Sequence, residues 1–177
     1  MVKSSPVSFR FGEDLLEQLT KESRKADLPM NSFVERALRR YLGYISLVEK
    51  LDMVTINKGT LTFILQKLTD DEVVECARDS AERFYESVSF LDGEYTAKGV
   101  LRLFVREFKD GGWATVEFVN EGRAFNFRIK HSVGMKWSLY VSTLMEEMLK
   151  RAGLTVEMKR SAGLVTLKIP SDVVMDI

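Results

Sequence analysis

The chain has 177 residues and a mass of 20.3 kDa, enough for one sizeable domain or two small ones. With 45% hydrophobic and 29% charged residues it has the composition of a soluble globular protein, and it holds no apolar run long enough to span a membrane. Lys and Arg number 26, as do Asp and Glu, which excludes a generic polyanion binder. A single cysteine, Cys76, rules out an intrachain disulfide, and a lone histidine, His131, leaves too few soft ligands for a zinc, nickel or copper site. No metal and no cofactor is expected. Lys3, Arg10, Glu13 and Asp14 interrupt the first fifteen residues, which therefore lack the apolar segment of a signal peptide. The expected location is cytoplasmic. Charge is unevenly spread: residues 1–46 carry eight basic and six acidic side chains, a balance of +2, and the remainder carries 18 and 20, a balance of −2. Any nucleic-acid contact is expected near the N-terminus.

Taken in order, Val7, Phe9 and Phe11 alternate with Pro6, Ser8 and Arg10, the period of a half-buried strand. Gly12 ends it, and Glu13 and Asp14 supply the negative charge favoured in a first helical turn. Leu15, Leu16, Leu19, Ser23 and Ala26 make a helical stripe that Leu28-Pro29 interrupts. Asn31 or Ser32 is then placed to cap a second helix with the stripe Phe33, Val34, Ala37, Leu38, Tyr41, Leu42 and Ile45. A lone strand beside a two-helix core leaves its backbone unpaired. A second copy solves this: two strands pair across a two-fold axis, four helices close over them, and the ribbon fits the major groove of B-DNA.

In the run Val7-Ser8-Phe9-Arg10-Phe11-Gly12-Glu13-Asp14-Leu15-Leu16, then Leu19, then Pro29 to Leu38, the segment resembles the ribbon-helix-helix family of prokaryotic DNA-binding proteins, which includes the methionine repressor. The resemblance covers about a quarter of the chain and lies in the order and spacing of apolar positions, the polar strand face and the start of the second helix. It implies a homodimer that binds double-stranded operator DNA through outward strand residues, here Pro6, Ser8 and Arg10. Arg10 suits guanine O6 and N7, and Ser8 suits either base type. Asn31 and Ser32 stand where the family clamps a phosphate on the second helix's first turn, and Lys3 is in reach of the DNA backbone. A plain dimerisation scaffold is the bland alternative, and an antitoxin the other.

Beyond residue 46 the resemblance ends. Val48 and Leu51 continue the second helix as a connector. Leu61, Ile64, Leu65 and Leu68 mark a short helix, and Thr69-Asp70-Asp71-Glu72 is a capping box opening another with the stripe Val73, Val74, Ala77, Ala81, Phe84 and Val88. Cys76 neighbours that stripe and is expected to be half-buried and inert. Val100, Leu101, Phe104, Val105 and Phe108 give a third helix, stopped at Gly111-Gly112. Two hairpins follow, around Asn120-Glu121-Gly122 and Ser161-Ala162-Gly163, with a long helix between them that Ser132 caps and Gly153 ends. The expected fold class is α+β: an N-terminal ribbon-helix-helix dimerisation domain (1–46), then helices and a β-β-α-β-β antiparallel-sheet domain (47–177) that senses a signal or drives assembly.

No catalytic constellation stands in this second domain, and no enzyme activity is expected. His131, Gly134 and Lys136, at the start of the long helix, are the candidate contacts for a small-molecule or anionic effector. The plainer reading, which the residues favour, is a histidine hydrogen-bonded to a backbone carbonyl beside Trp137 as a core anchor. Together these features point to a nucleoid-associated transcriptional regulator, a dimer or dimer of dimers with no membrane partner. Nickel sensing, known in the same family, lacks its His and Cys ligands here.

Overall fold

A computed structural model describes residues 5–50, 53–122 and 124–174. Lys3, assigned above to the DNA backbone, and Leu51, assigned to the connector, lie outside the described residues. The chain is mixed helix and sheet and divides into two compact units, Met1–Gly43 and Tyr44–Ile177. The division falls slightly before residue 46 because Tyr44 is already buried in the second unit.

In the first unit, residues 5–12 do not form the strand expected from their alternation, and no described strand pairs with them. Helix α1 (Glu13–Lys25) carries Glu13 and Asp14 in its first turn and Arg24 and Lys25 in its last, matching the helix dipole at both ends. Helix α2 (Met30–Arg40) begins one residue after Pro29. The cap is Pro29 rather than Asn31 or Ser32, which are the second and third residues of the helix. Proline's fixed φ, here −54°, already suits a helix entry, so no side-chain cap is made. The chain then passes through a π-helical turn at Tyr41–Ile45 into α3 (Ser46–Lys50).

The second unit continues with α4 (Lys58–Lys67), α5 (Asp70–Asp92) and α6 (Ala97–Val105), the last followed by a π-helical turn at Arg106–Asp110. Each of the three helices has a side-chain cap: Asn57, Thr69 and Thr96 accept from backbone N–H groups of their first turns. Thr69 and Glu72 complete the reciprocal capping box, and the bond from the Thr69 N–H holds the Glu72 carboxyl below its usual range. Cys76 is exposed rather than half-buried. It follows Val73 by three positions but points off the stripe, which Ala77 continues instead.

Strands β1 (Thr115–Asn120) and β2 (Ala124–Lys130), helix α7 (Met135–Arg151), strands β3 (Glu157–Ser161) and β4 (Leu164–Pro170) and the short α8 (Ser171–Val174) complete the unit. The sheet is antiparallel in the order β1-β2-β4-β3. Register sets Phe118 opposite Phe127, Ile129 opposite Val165, and Phe127 and Met158 both opposite Leu167, so one face is continuously apolar. Phe127, Ile129, Val165, Leu167 and Ile169 are fully buried on it, in one cluster with Val141, Leu144, Met145, Met148 and Leu149 of α7 and with residues of α5 and α6.

Helix α7 starts at Met135, later than a Ser132 cap requires, because Gly134 adopts φ 105°, outside helical space. It ends in a Schellman motif: Gly153 (φ 79°) donates to the Lys150 carbonyl at 3.0 Å and Leu154 to that of Leu149 at 2.9 Å. Polar pins tie it to α5. Tyr140 donates to Ser80 at 2.9 Å, and Arg151 pairs with Glu82 at 2.6 Å while its guanidinium lies 3.7 Å from the Tyr85 ring centroid.

Two methionines of α7 test this packing. Met145 is 0% exposed and Met135 51% exposed. Met145→Ala is expected to cost about 3 kcal/mol by cavity formation, and Met135→Ala no more than about 0.5 kcal/mol, read from urea-unfolding midpoints.

Candidate functional site

The first unit has almost no interior. Among its described residues only Ser23 is buried, while Val7, Phe9 and Phe11 are 70%, 63% and 42% exposed, and Leu15, Leu16 and Leu38 are exposed as well. Apolar residues this large and this numerous, on two short helices and one unpaired segment, form an exposed apolar surface. Phe9 and Phe11 already stack on each other, with ring centroids 6.1 Å apart.

Ser8 and Arg10 are both exposed on that segment, as are Val7, Phe9 and Phe11, so the expected alternation of inner and outer faces is not seen in the single chain. Asn31 and Ser32 are exposed in the first turn of α2. The first helical bond there is Phe33 N–H to the Pro29 carbonyl at 2.9 Å. The N–H groups of Met30, Asn31 and Ser32 therefore precede the hydrogen-bonded ladder, the arrangement from which a helix start can hold a phosphate. Two other cations of this unit are paired locally, Lys25 with Glu22 and Arg39 with Glu35, both at 2.6 Å. Arg36 lies 5.7 Å from the Phe33 ring centroid. Arg10 has no ion pair among the described residues.

In the second unit, His131, Gly134 and Lys136 do share one corner, between the end of β2 and the start of α7. Their polar atoms are turned to the chain itself. His131 Nδ1 accepts from the Val133 N–H at 3.3 Å, and Nε2 lies 2.9 Å from Ser138 Oγ. Ser138 in turn donates to the Ser161 carbonyl at 2.5 Å. This chain of bonds selects the neutral tautomer with the proton on Nε2. Burial, and then the charge of Lys58, lower the imidazole's affinity for a second proton. Lys136 donates to the Leu68 carbonyl and lies 3.7 Å from Asp70, so it fastens the α4–α5 connection to α7. Gly134 supplies the positive φ of the corner. The bonding partner of the histidine is a serine rather than a carbonyl, and Trp137 packs, partly buried, against both apolar clusters.

A second feature of this unit was passed over in the sequence. Glu107, in the π-helical turn after α6, is only 9% exposed. It borders a cavity of about 150 Å³ together with Tyr44, Phe84, Trp113, Trp137 and Tyr140. The signal was present: Glu107 follows Phe104 by three positions and Val100 by seven, a carboxylate on the core stripe of an amphipathic helix. The Tyr44 ring rests on Gly111, where an added Cβ would come within 2.8 Å of it. The side walls thus come from both π-helical turns, at Tyr41–Ile45 and Arg106–Asp110.

No family model, curated protein or solved structure matches the chain. What it does is therefore argued from its own residues.

The His131 network yields a pH test. Its folded pKa is depressed, so between about pH 6.5 and that lower value the unfolded chain binds more protons than the folded one. Stability is then lost as pH falls through this window. Thermal melts at pH 7.5 and 5.5 are expected to show a smaller acid-induced drop for His131→Gln than for the natural chain.

Proposed function

We propose that the protein is a sequence-specific DNA-binding regulator that acts as a homodimer. Residues 6–11 of two copies pair as an antiparallel ribbon in the major groove, and α1 and α2 of both copies close over its inner face. The observation that carries this reading is the near-absence of a core in the first unit, with Val7, Phe9 and Phe11 all exposed on an unpaired segment. A second copy would cover these three side chains and satisfy the segment's backbone in one step. The face left outward then carries Ser8 and Arg10, a hydroxyl and a guanidinium suited to base edges. Asn31 and Ser32 would sit on the phosphates and fix register. Burial of apolar area, which is insufficient within one copy, would drive the association.

The second unit supplies a well-packed α+β body with its own core and suits an effector or assembly role. An antitoxin is less well supported. Toxin-wrapping tails fold on their partner, whereas here the chain beyond residue 43 is an ordered sheet and helices.

Fluorescence anisotropy with DNA from upstream of the protein's own gene, against unrelated DNA and over a salt series, tests the reading. Specific binding with a steep salt slope is expected, and Arg10→Ala should weaken it about tenfold or more. Phe9→Glu, which places a charge in the shared core, should convert the dimer to monomer in sedimentation and abolish binding. If that DNA shows no preference, selection from random sequence follows. A stable dimer that binds no DNA at low salt would replace the regulator by a dimerisation scaffold.

A further inference from the structure

Two residues of the cavity wall, Glu107 and Trp137, each carry a buried polar atom for which the described residues provide no partner. Glu107 Oε1 and Trp137 Nε1 are both enclosed and both lack a hydrogen-bond partner. Buried polar groups left in this state destabilise a fold. Burial alone pushes the Glu107 carboxyl up to about 7, and no neighbouring cation counters it. The fold therefore keeps an uncompensated acid inside an apolar wall.

The rest of the wall narrows what would fit. Trp137 stacks between Trp113 and Tyr140, with centroid separations of 6.0 and 5.0 Å and ring planes inclined by 29° and 13°. Phe84 and Tyr44 also line the space. Aromatic walls attract organic cations through the ring quadrupole. Glu107 attracts them through charge and repels anions. A cavity of about 150 Å³ matches the volume known to admit a single benzene-sized ring, ~150 Å³.

We propose that this cavity binds a small organic cation of single-ring size, a protonated amine whose N–H groups satisfy Glu107 while its ring packs against Trp137 and Tyr140. The site is complete within the second unit, so it holds whatever the first unit binds. It is distinct from the His131 corner, whose polar atoms already have partners.

The chain's two tryptophans both line the cavity, so their emission reports on it directly. The full chain is titrated at pH 8 with benzylamine, with neutral benzyl alcohol and with benzoate. Benzylamine is expected to change the emission saturably and to bind about tenfold or more tightly than benzyl alcohol, with benzoate weakest. Glu107→Gln keeps the side chain's shape and should bring the amine to within about twofold of the alcohol. Equal affinity of the natural chain for amine and alcohol, stronger binding of benzoate, or no saturable change with any probe would overturn the proposal. So would an undiminished amine preference in Glu107→Gln. Should that variant not fold, the natural chain provides a second test, because its affinity for benzylamine should rise from pH 6 to pH 8 while that for benzyl alcohol stays level. The other ionisable side chains lining the cavity are the phenols Tyr44 and Tyr140, and burial pushes that of Tyr140 further up. A flat benzylamine profile would overturn the proposal equally.

Discussion

The second unit is organised by the need to cover helix α7 on most of its circumference. Its buried residues run from Ser138 to Leu149 and include positions on every side of the helix. No single sheet can bury a cylinder. The four strands take one side through Phe127, Ile129, Val165 and Leu167, and α5 and α6 take much of the remainder. Where the covering is incomplete, along Trp137, Tyr140 and Leu144 at offsets of three and seven, the cavity opens. Phe84 of α5 and Phe104 of α6 line it from the helical layer, and Tyr44 and Glu107 are brought there from the two π-helical turns.

The first unit poses the opposite problem. Two helices of 13 and 11 residues with exposed leucines and an unpaired apolar lead cannot offset the chain entropy of folding without further burial. The second unit closes its own core; the first displays an apolar surface. The proposed dimerisation would cover such a surface, and the proposed base reading would use the polar residues of the same segment. Both rest on one alternation, in which every second residue from Val7 to Phe11 is apolar.

Most of the second unit was legible because its signals are local. Alternation at residues 116–118, 125–129 and 165–169 set the strands and their inward faces, and Thr69 with Glu72 and Gly153 marked helix ends by caps that are largely independent of tertiary contact. The errors fell where a nonlocal contact or a backbone angle decided the outcome. Ser132 has the chemistry of a cap, but the left-handed Gly134 two residues later forbids helix there. Asn31 and Ser32 likewise yield to Pro29, whose ring fixes the entry without any side-chain bond. The exposure of Cys76 depended on which side of the Val73–Ala77 stripe turns inward, a matter of a few tens of degrees about the α5 axis. The cavity lay beyond a local reading altogether, because Tyr44, Glu107 and Trp137 meet only in three dimensions, and a single acid on an apolar stripe was its one trace in the sequence.

The contact between Tyr44 and Gly111 has a consequence for how this chain can change over generations. An added Cβ at Gly111 would come within 2.3 Å of the Glu107 carbonyl and 2.8 Å of the Tyr44 ring. A replacement there must move backbone as well as an aromatic ring that is itself buried. These two positions, distant in the chain, are therefore bound to a common history. Descendants that lose the glycine must also reshape the π-helical turn and vacate the tyrosine's place, and those that keep the tyrosine must keep the glycine.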